Sequence, residues 1–131
     1  MIAKKWNCQD NIEEIEYLSP WLLVILGDIL LWSLSKKLAV NITSLMREMN
    51  DGISESKTHQ EGRAFDLSVK GWTLEQIKEL ASYINLKYSA IGAKSAKDGS
   101  VNTCFYHNNG HGWHFHVQVR PIIKGVSVCL N

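Results

Sequence analysis

The chain has 131 residues, 45% of them hydrophobic and 21% charged, with 14 Lys+Arg against 13 Asp+Glu. A chain of this length buries enough surface to hold a core without a disulfide or metal staple, so one globular domain spanning 1–131 is expected. The near-neutral balance offers no basic stripe for neutralising phosphates, which argues against a nucleic-acid partner.

Near the N-terminus, Lys4 and Lys5 are followed by Asp10, Glu13, Glu14 and Glu16 before any apolar run. That charge order does not fit a signal peptide, and synthesis in the cytoplasm without one is expected. Ser19-Pro20 then predicts a helix start, with Ser19 as cap and Pro20 at the first helical position, and Lys36-Lys37 suits the negative end of the helix dipole. Between them, residues 21–34 are apolar apart from Gly27, Asp28 and Ser33, which predicts a central helix buried nearly all round. At about 1.5 Å rise per residue this run reaches about 21 Å, short of the ~30 Å hydrocarbon core, so no stable membrane insertion is expected.

Residues 38–46 alternate as a strand, with Leu38, Val40, Ile42 and Ser44 on one side, and Asn50-Asp51-Gly52 reads as a turn. A second strand over 64–69 sets Phe65, Leu67 and Val69 against Ala64, Asp66 and Ser68, so its polar face carries Asp66. A second helix follows Thr73, whose side chain pairs with Gln76 as a capping box, and runs to about 88 with Leu74, Ile77, Leu80, Ala81 and Ile84 on the stripe that packs on the sheet. Residues 89–100 read as a loop, and 101–106 and 113–120 as two strands joined by a tight 107–112 segment. Cys8, Cys104 and Cys129 are odd in number and far apart, without a Cys-x-x-Cys pair, and read as free thiols in a reducing compartment. The elements predict an α+β domain with a small, mainly antiparallel sheet and helices on one face.

Four of the five histidines, His107, His111, His114 and His116, fall within ten residues. In the last strand Trp113, Phe115, Val117 and Val119 share one face, so His114, His116, Gln118 and Arg120 share the other. His59 lies seven residues before Asp66, and Gly62 between them permits the chain to turn both side chains to one place. If these segments are neighbours, the polar face gathers His59, Asp66 and a histidine of the last strand, a donor set suited to zinc with one position open for catalysis. Each part has a plainer reading: His59 or Asp66 as a capping or surface residue, and the His-x-His as a solvated strand face. A separate alternative is a local structural clip made by His107, His111, His114 and His116 alone.

The segment Ser56-Lys57-Thr58-His59-Gln60-Glu61-Gly62-Arg63-Ala64-Phe65-Asp66 resembles the His-x-x-Gly-x-Ala-x-Asp motif of the D-alanyl-D-alanine carboxypeptidase and L-alanyl-D-glutamate endopeptidase family. Trp113-His114-Phe115-His116 resembles that family's terminal histidine motif. The resemblance covers about residues 22–120 and implies the zinc-binding fold shared with hedgehog domains and penicillin-insensitive murein endopeptidases. It implies His59, Asp66 and His116 as zinc ligands, with His114 in the outer sphere. Arg47 matches the arginine that follows the first strand in related carboxypeptidases, where it holds the substrate or the developing oxyanion.

One departure from that pattern shifts the expected chemistry. The carboxypeptidases place Glu or Asp three residues before the terminal histidine as general base, whereas here position 113 is Trp, position 111 is His, and no acidic residue follows Asp98. The pattern His111-x-x-His114-x-His116 resembles the murein endopeptidases instead. An imidazole, titrating ordinarily near pH 6.5, is a sound base at neutral pH. The expected catalytic groups are therefore His114 as base, His111 as helper or substrate contact, and Arg47.

The resemblance implies a Zn2+-dependent peptidase acting on the peptidoglycan stem peptide, endolysin-like, as endopeptidase or carboxypeptidase. Such an enzyme is made in the cytoplasm and acts at the cell wall, as phage lysis enzymes do. The missing carboxylate keeps a second expectation open, a zinc-binding interaction domain of the same fold without hydrolytic activity.

Overall fold

The computed structural model describes residues 2–4, 18–44, 62–95, 98–108 and 112–121. Among them, strand β1 (Ile2–Lys4) precedes helix α1 (Pro20–Ser35), strands β2 (Val40–Ser44) and β3 (Ala64–Ser68), helix α2 (Leu74–Lys87) and a 3-10 turn (Ser89–Ile91). Strands β4 (Ala93–Lys94), β5 (Val101–Asn102), β6 (Cys104–Asn108) and β7 (Trp113–Gln118) complete the order. The main sheet runs β1-β2-β3-β7-β6, and β4 and β5 form a separate two-stranded hairpin. β1 pairs with β2 in parallel and every other neighbour is antiparallel, so the expected α+β architecture holds. β1 has no counterpart among the predicted elements, because three residues at a sheet edge carry no periodicity to read.

One sheet face carries the core. Phe65 and Leu67 of β3, Phe115 and Val117 of β7, Val40 and Ile42 of β2 and Cys104 of β6 meet Leu22, Ile25 and Ile29 of α1 and Ile77, Leu80 and Ile84 of α2. Each fully buried Leu, Ile or Phe contributes about 1.5–3 kcal/mol relative to exposure, so this face dominates the stability. The buried positions of both helices recur every three or four residues, one stripe per helix.

That geometry corrects the expectation of an α1 buried all round: Val24 and Leu31 are 59% and 70% exposed, and Leu23 and Leu34 also face outward. A helix lying on a single sheet face can bury only the stripe it turns to that face. Leu74 is exposed for the same reason, at the edge of the α2 stripe. Trp113, expected among the core residues of the last strand, is exposed, with its ring 5.0 Å from Tyr106. Pro20 does open α1, but Ser19 provides no side-chain cap: its Oγ is buried without a hydrogen-bond partner among the described residues, and its backbone N–H donates to the Gly62 carbonyl at 2.8 Å. α2 begins as predicted, with the Thr73 hydroxyl accepting from Gln76 N at 3.1 Å and Thr73 N donating to the Gln76 side chain at 2.9 Å.

The predicted 101–106 strand breaks at Thr103 into β5 and β6. Asn85 of α2 causes the break: its Oδ1 accepts from Thr103 N and Cys104 N at 2.8 and 3.0 Å, and its Nδ2 donates to the Cys104 carbonyl at 2.8 Å. One amide thus satisfies three backbone groups at the head of the edge strand and anchors β6 to the helix layer. Cys104 is a buried free thiol, pushed up to about 12 by burial; Cys8, Cys129 and the predicted 50–52 turn lie outside the described residues.

The two helices are joined by a carboxylate. Asp28 of α1 accepts from the Tyr83 and Tyr88 hydroxyls at 3.0 and 2.6 Å and from Lys87 Nζ at 2.7 Å. Burial alone would raise the Asp28 carboxyl, and the bonds from Lys87, Tyr88 and Tyr83 outweigh it, holding the group below its ordinary value. Burial and the bond to Asp28 push Tyr88 up to about 12. Asp28→Ala is expected to lower stability by about 1–3 kcal/mol, read as a drop in the urea midpoint at pH 7. Because the folded carboxyl is depressed, its contribution is present above the unfolded value of about 4 and fades as pH falls through the folded one. The two proteins should converge in stability under strongly acid conditions.

Candidate metal centre

β3 and β7 lie side by side with Asp66 directly opposite His116, and β6 and β7 with His107 opposite His114. Alternation along the strands sends Phe65, Leu67, Phe115 and Val117 to the helices, so Asp66, His114, His116 and His107 share the other face. The centre of that face is closed to solvent, while His107 at the β6 edge is half-buried. Asp66, His114 and His116 are 3%, 8% and 5% exposed, and buried titratable groups at these levels call for partners.

The partners are each other. His116 Nδ1 lies 2.7 Å from Asp66 Oδ1, and His114 Nε2 lies 3.8 Å from the same oxygen. The other nitrogen of His116, Nε2, is 3.1 Å from Gln118 Oε1. His114 Nδ1 is 2.9 Å from the Gly112 carbonyl, which can only accept, so Nδ1 carries the proton and Nε2 the lone pair in the neutral ring. That Nε2 is buried with no hydrogen-bond partner among the described residues. Gly112 has φ +93°, a conformation natural only to glycine, at the turn that aims its carbonyl at His114.

β6 adds a third imidazole. The His107 ring centroid is 4.5 Å from that of His114 and 5.6 Å from that of His116, and the Phe105 ring closes the side at 4.6 and 4.8 Å from His107 and His116. One ligand atom from each of His107, His114 and His116 lies within 4.8 Å of the others, so the three can hold a metal ion. Nitrogen donors beside a carboxylate suit a divalent transition metal better than a hard oxygen-seeking cation.

Of the predicted site residues, Asp66, His114 and His116 are brought together; His59, His111 and Arg47 lie outside the described residues. His107 entered the sequence reading only as part of the histidine clip. Pairing Asn108 with Trp113 would have identified it, because counting back from that pair sets His107 against His114. Asn108 Oδ1 accepts from Gly112 N at 3.2 Å. No protein-family model, curated protein or solved structure matches the chain.

Proposed function

We propose that the protein is a zinc-dependent peptidase of the hedgehog and DD-peptidase-like fold that hydrolyses peptide bonds in peptidoglycan stem peptides. The observation that carries this reading is the meeting of Asp66 Oδ1 and His116 Nδ1 at 2.7 Å, from strands 50 residues apart in sequence. This is the convergence that the His-x-x-Gly-x-Ala-x-Asp and Trp-His-Phe-His segments imply. A carboxylate oxygen and an imidazole nitrogen on one buried face fit two positions of a catalytic zinc site, and His59 would supply the third.

Zinc, when bound, supplies a Lewis acid that polarises the scissile carbonyl and acidifies water. The remaining work falls to side chains. His114 takes the proton of the attacking water at Nε2 and returns it to the leaving amine, while the Gly112 carbonyl holds Nδ1–H through the cycle. Arg47 holds the substrate or the developing oxyanion, and His111 contacts the substrate or assists the base. The substrate sets the place of action at the cell wall, as for a phage or prophage lysis enzyme.

The test is incubation of the purified protein with peptidoglycan and zinc, with and without a chelator, followed by mass spectrometry of the soluble fragments. New stem-peptide fragments in the zinc sample alone are the expected result. Stoichiometric zinc without any cleavage would establish the non-catalytic interaction domain instead.

A further inference from the structure

Gln118 lies two residues beyond His116 on the same strand face. Its backbone N–H donates to the Thr103 carbonyl at 2.7 Å and its side-chain Nε2 donates to the Asn102 carbonyl at 3.1 Å. A carbonyl oxygen accepts only, so the amide nitrogen must face Asn102 and Oε1 must be the atom that faces His116. Oε1 also accepts only. The proton of the neutral His116 ring therefore sits on Nε2, 3.1 Å from Oε1, and the lone pair on Nδ1 points at Asp66 Oδ1, 2.7 Å away. Two acceptors that close repel unless positive charge lies between them, from a proton or from a metal ion.

We propose that Gln118 is the positioning residue of the metal centre: by accepting from Nε2–H it fixes the His116 tautomer and presents Nδ1 to the metal beside Asp66. This rests on the metal-site reading above and extends it outward by one layer. The chain of bonds runs Asn102 carbonyl, Gln118 amide, His116 ring, and each link dictates the next because each acceptor has only one role. The break between β5 and β6 at Thr103 leaves the Asn102 carbonyl beyond the β6–β7 register, where the Gln118 side chain reaches it. Outer partners of this kind raise ligand basicity and hold ring orientation, and their loss costs about 10–100-fold in metal affinity.

The experiment measures zinc affinity by competition with a chromophoric chelator for the wild type, Gln118→Met and Gln118→Glu. Met matches the length and has no oxygen acceptor, whereas Glu retains an acceptor toward Nε2. Gln118→Met should weaken zinc binding by about 10–100-fold, and Gln118→Glu should restore most of it. In parallel, long-range 1H–15N spectra of the zinc-loaded wild type should show His116 protonated at Nε2, a signature that needs no variant to fold. Equal affinities in wild type and Gln118→Met, or a His116 ring protonated at Nδ1, would overturn the role of Gln118 while leaving the metal centre standing. Failure of the wild type to bind zinc at all would remove the metal centre itself, and the role with it.

Discussion

Asp66→Asn is expected to lower zinc affinity by more than about 100-fold and to bring peptidoglycan cleavage to background. The amide keeps the volume and shape of the carboxylate, so the core-facing neighbours Phe65 and Leu67 are undisturbed, but it removes the only carboxylate that the described residues place beside His114 and His116. Loss of an outer partner of a ligand already costs about 10–100-fold, and loss of a charged ligand must exceed that. Zinc content after dialysis, measured by mass spectrometry of the metal, checks the first effect, and the muropeptide digest checks the second. A circular dichroism melt separates both from unfolding. The same variant distinguishes the two ways of building the centre. If Asp66→Asn keeps its zinc and His107→Ala loses it, the metal is held by the histidine trio alone, and the peptidase assignment falls.

His114→Asn should behave differently, keeping its zinc and losing turnover by about 10²–10⁴-fold, the range supplied by a positioned general base. The reasoning is geometric. His114 Nδ1 is committed to the Gly112 carbonyl, and its Nε2 is buried, carries the lone pair and faces the Asp66–His116 pair from 3.8 Å. An asparagine, whose amide nitrogen lies where Nδ1 did, can still donate to the Gly112 carbonyl, but it cannot accept and return a proton at neutral pH. Steady-state cleavage of a defined muropeptide, with zinc content measured on the same sample, gives both numbers. A parallel loss of zinc would make His114 a ligand rather than the base. Unchanged turnover would move the base elsewhere, with His111 the next candidate.

The local part of this organisation is readable residue by residue. Thr73 and Gln76 announce the start of α2, Pro20 that of α1, and the alternation through 64–69 and 113–120 assigns Asp66, His114, His116 and Gln118 to one strand face. These are short-range facts: a hydroxyl reaches an amide three positions on, and successive side chains of an extended chain point in opposite directions whatever surrounds them. The exposed side of α1 was not readable, because an apolar helix looks the same whether it is enclosed or lies against a single sheet. The division of 101–108 into β5 and β6 was hidden too, since it depends on Asn85 reaching across from a helix.

The sequence by itself determined which chemistry-bearing side chains exist, how each is spaced within its own strand, and that a carboxylate and two imidazoles avoid the core face. Only the tertiary structure decided that β3 lies next to β7, that its register sets Asp66 against His116, and that β6 brings His107 alongside. It also decided that Asp66, His114 and His116 on this face are buried. The physical reason is that strand order and register are settled by packing between segments far apart in the chain, and a slip of one residue would turn each of these side chains to the opposite face. Periodicity within any single strand carries no information about that choice.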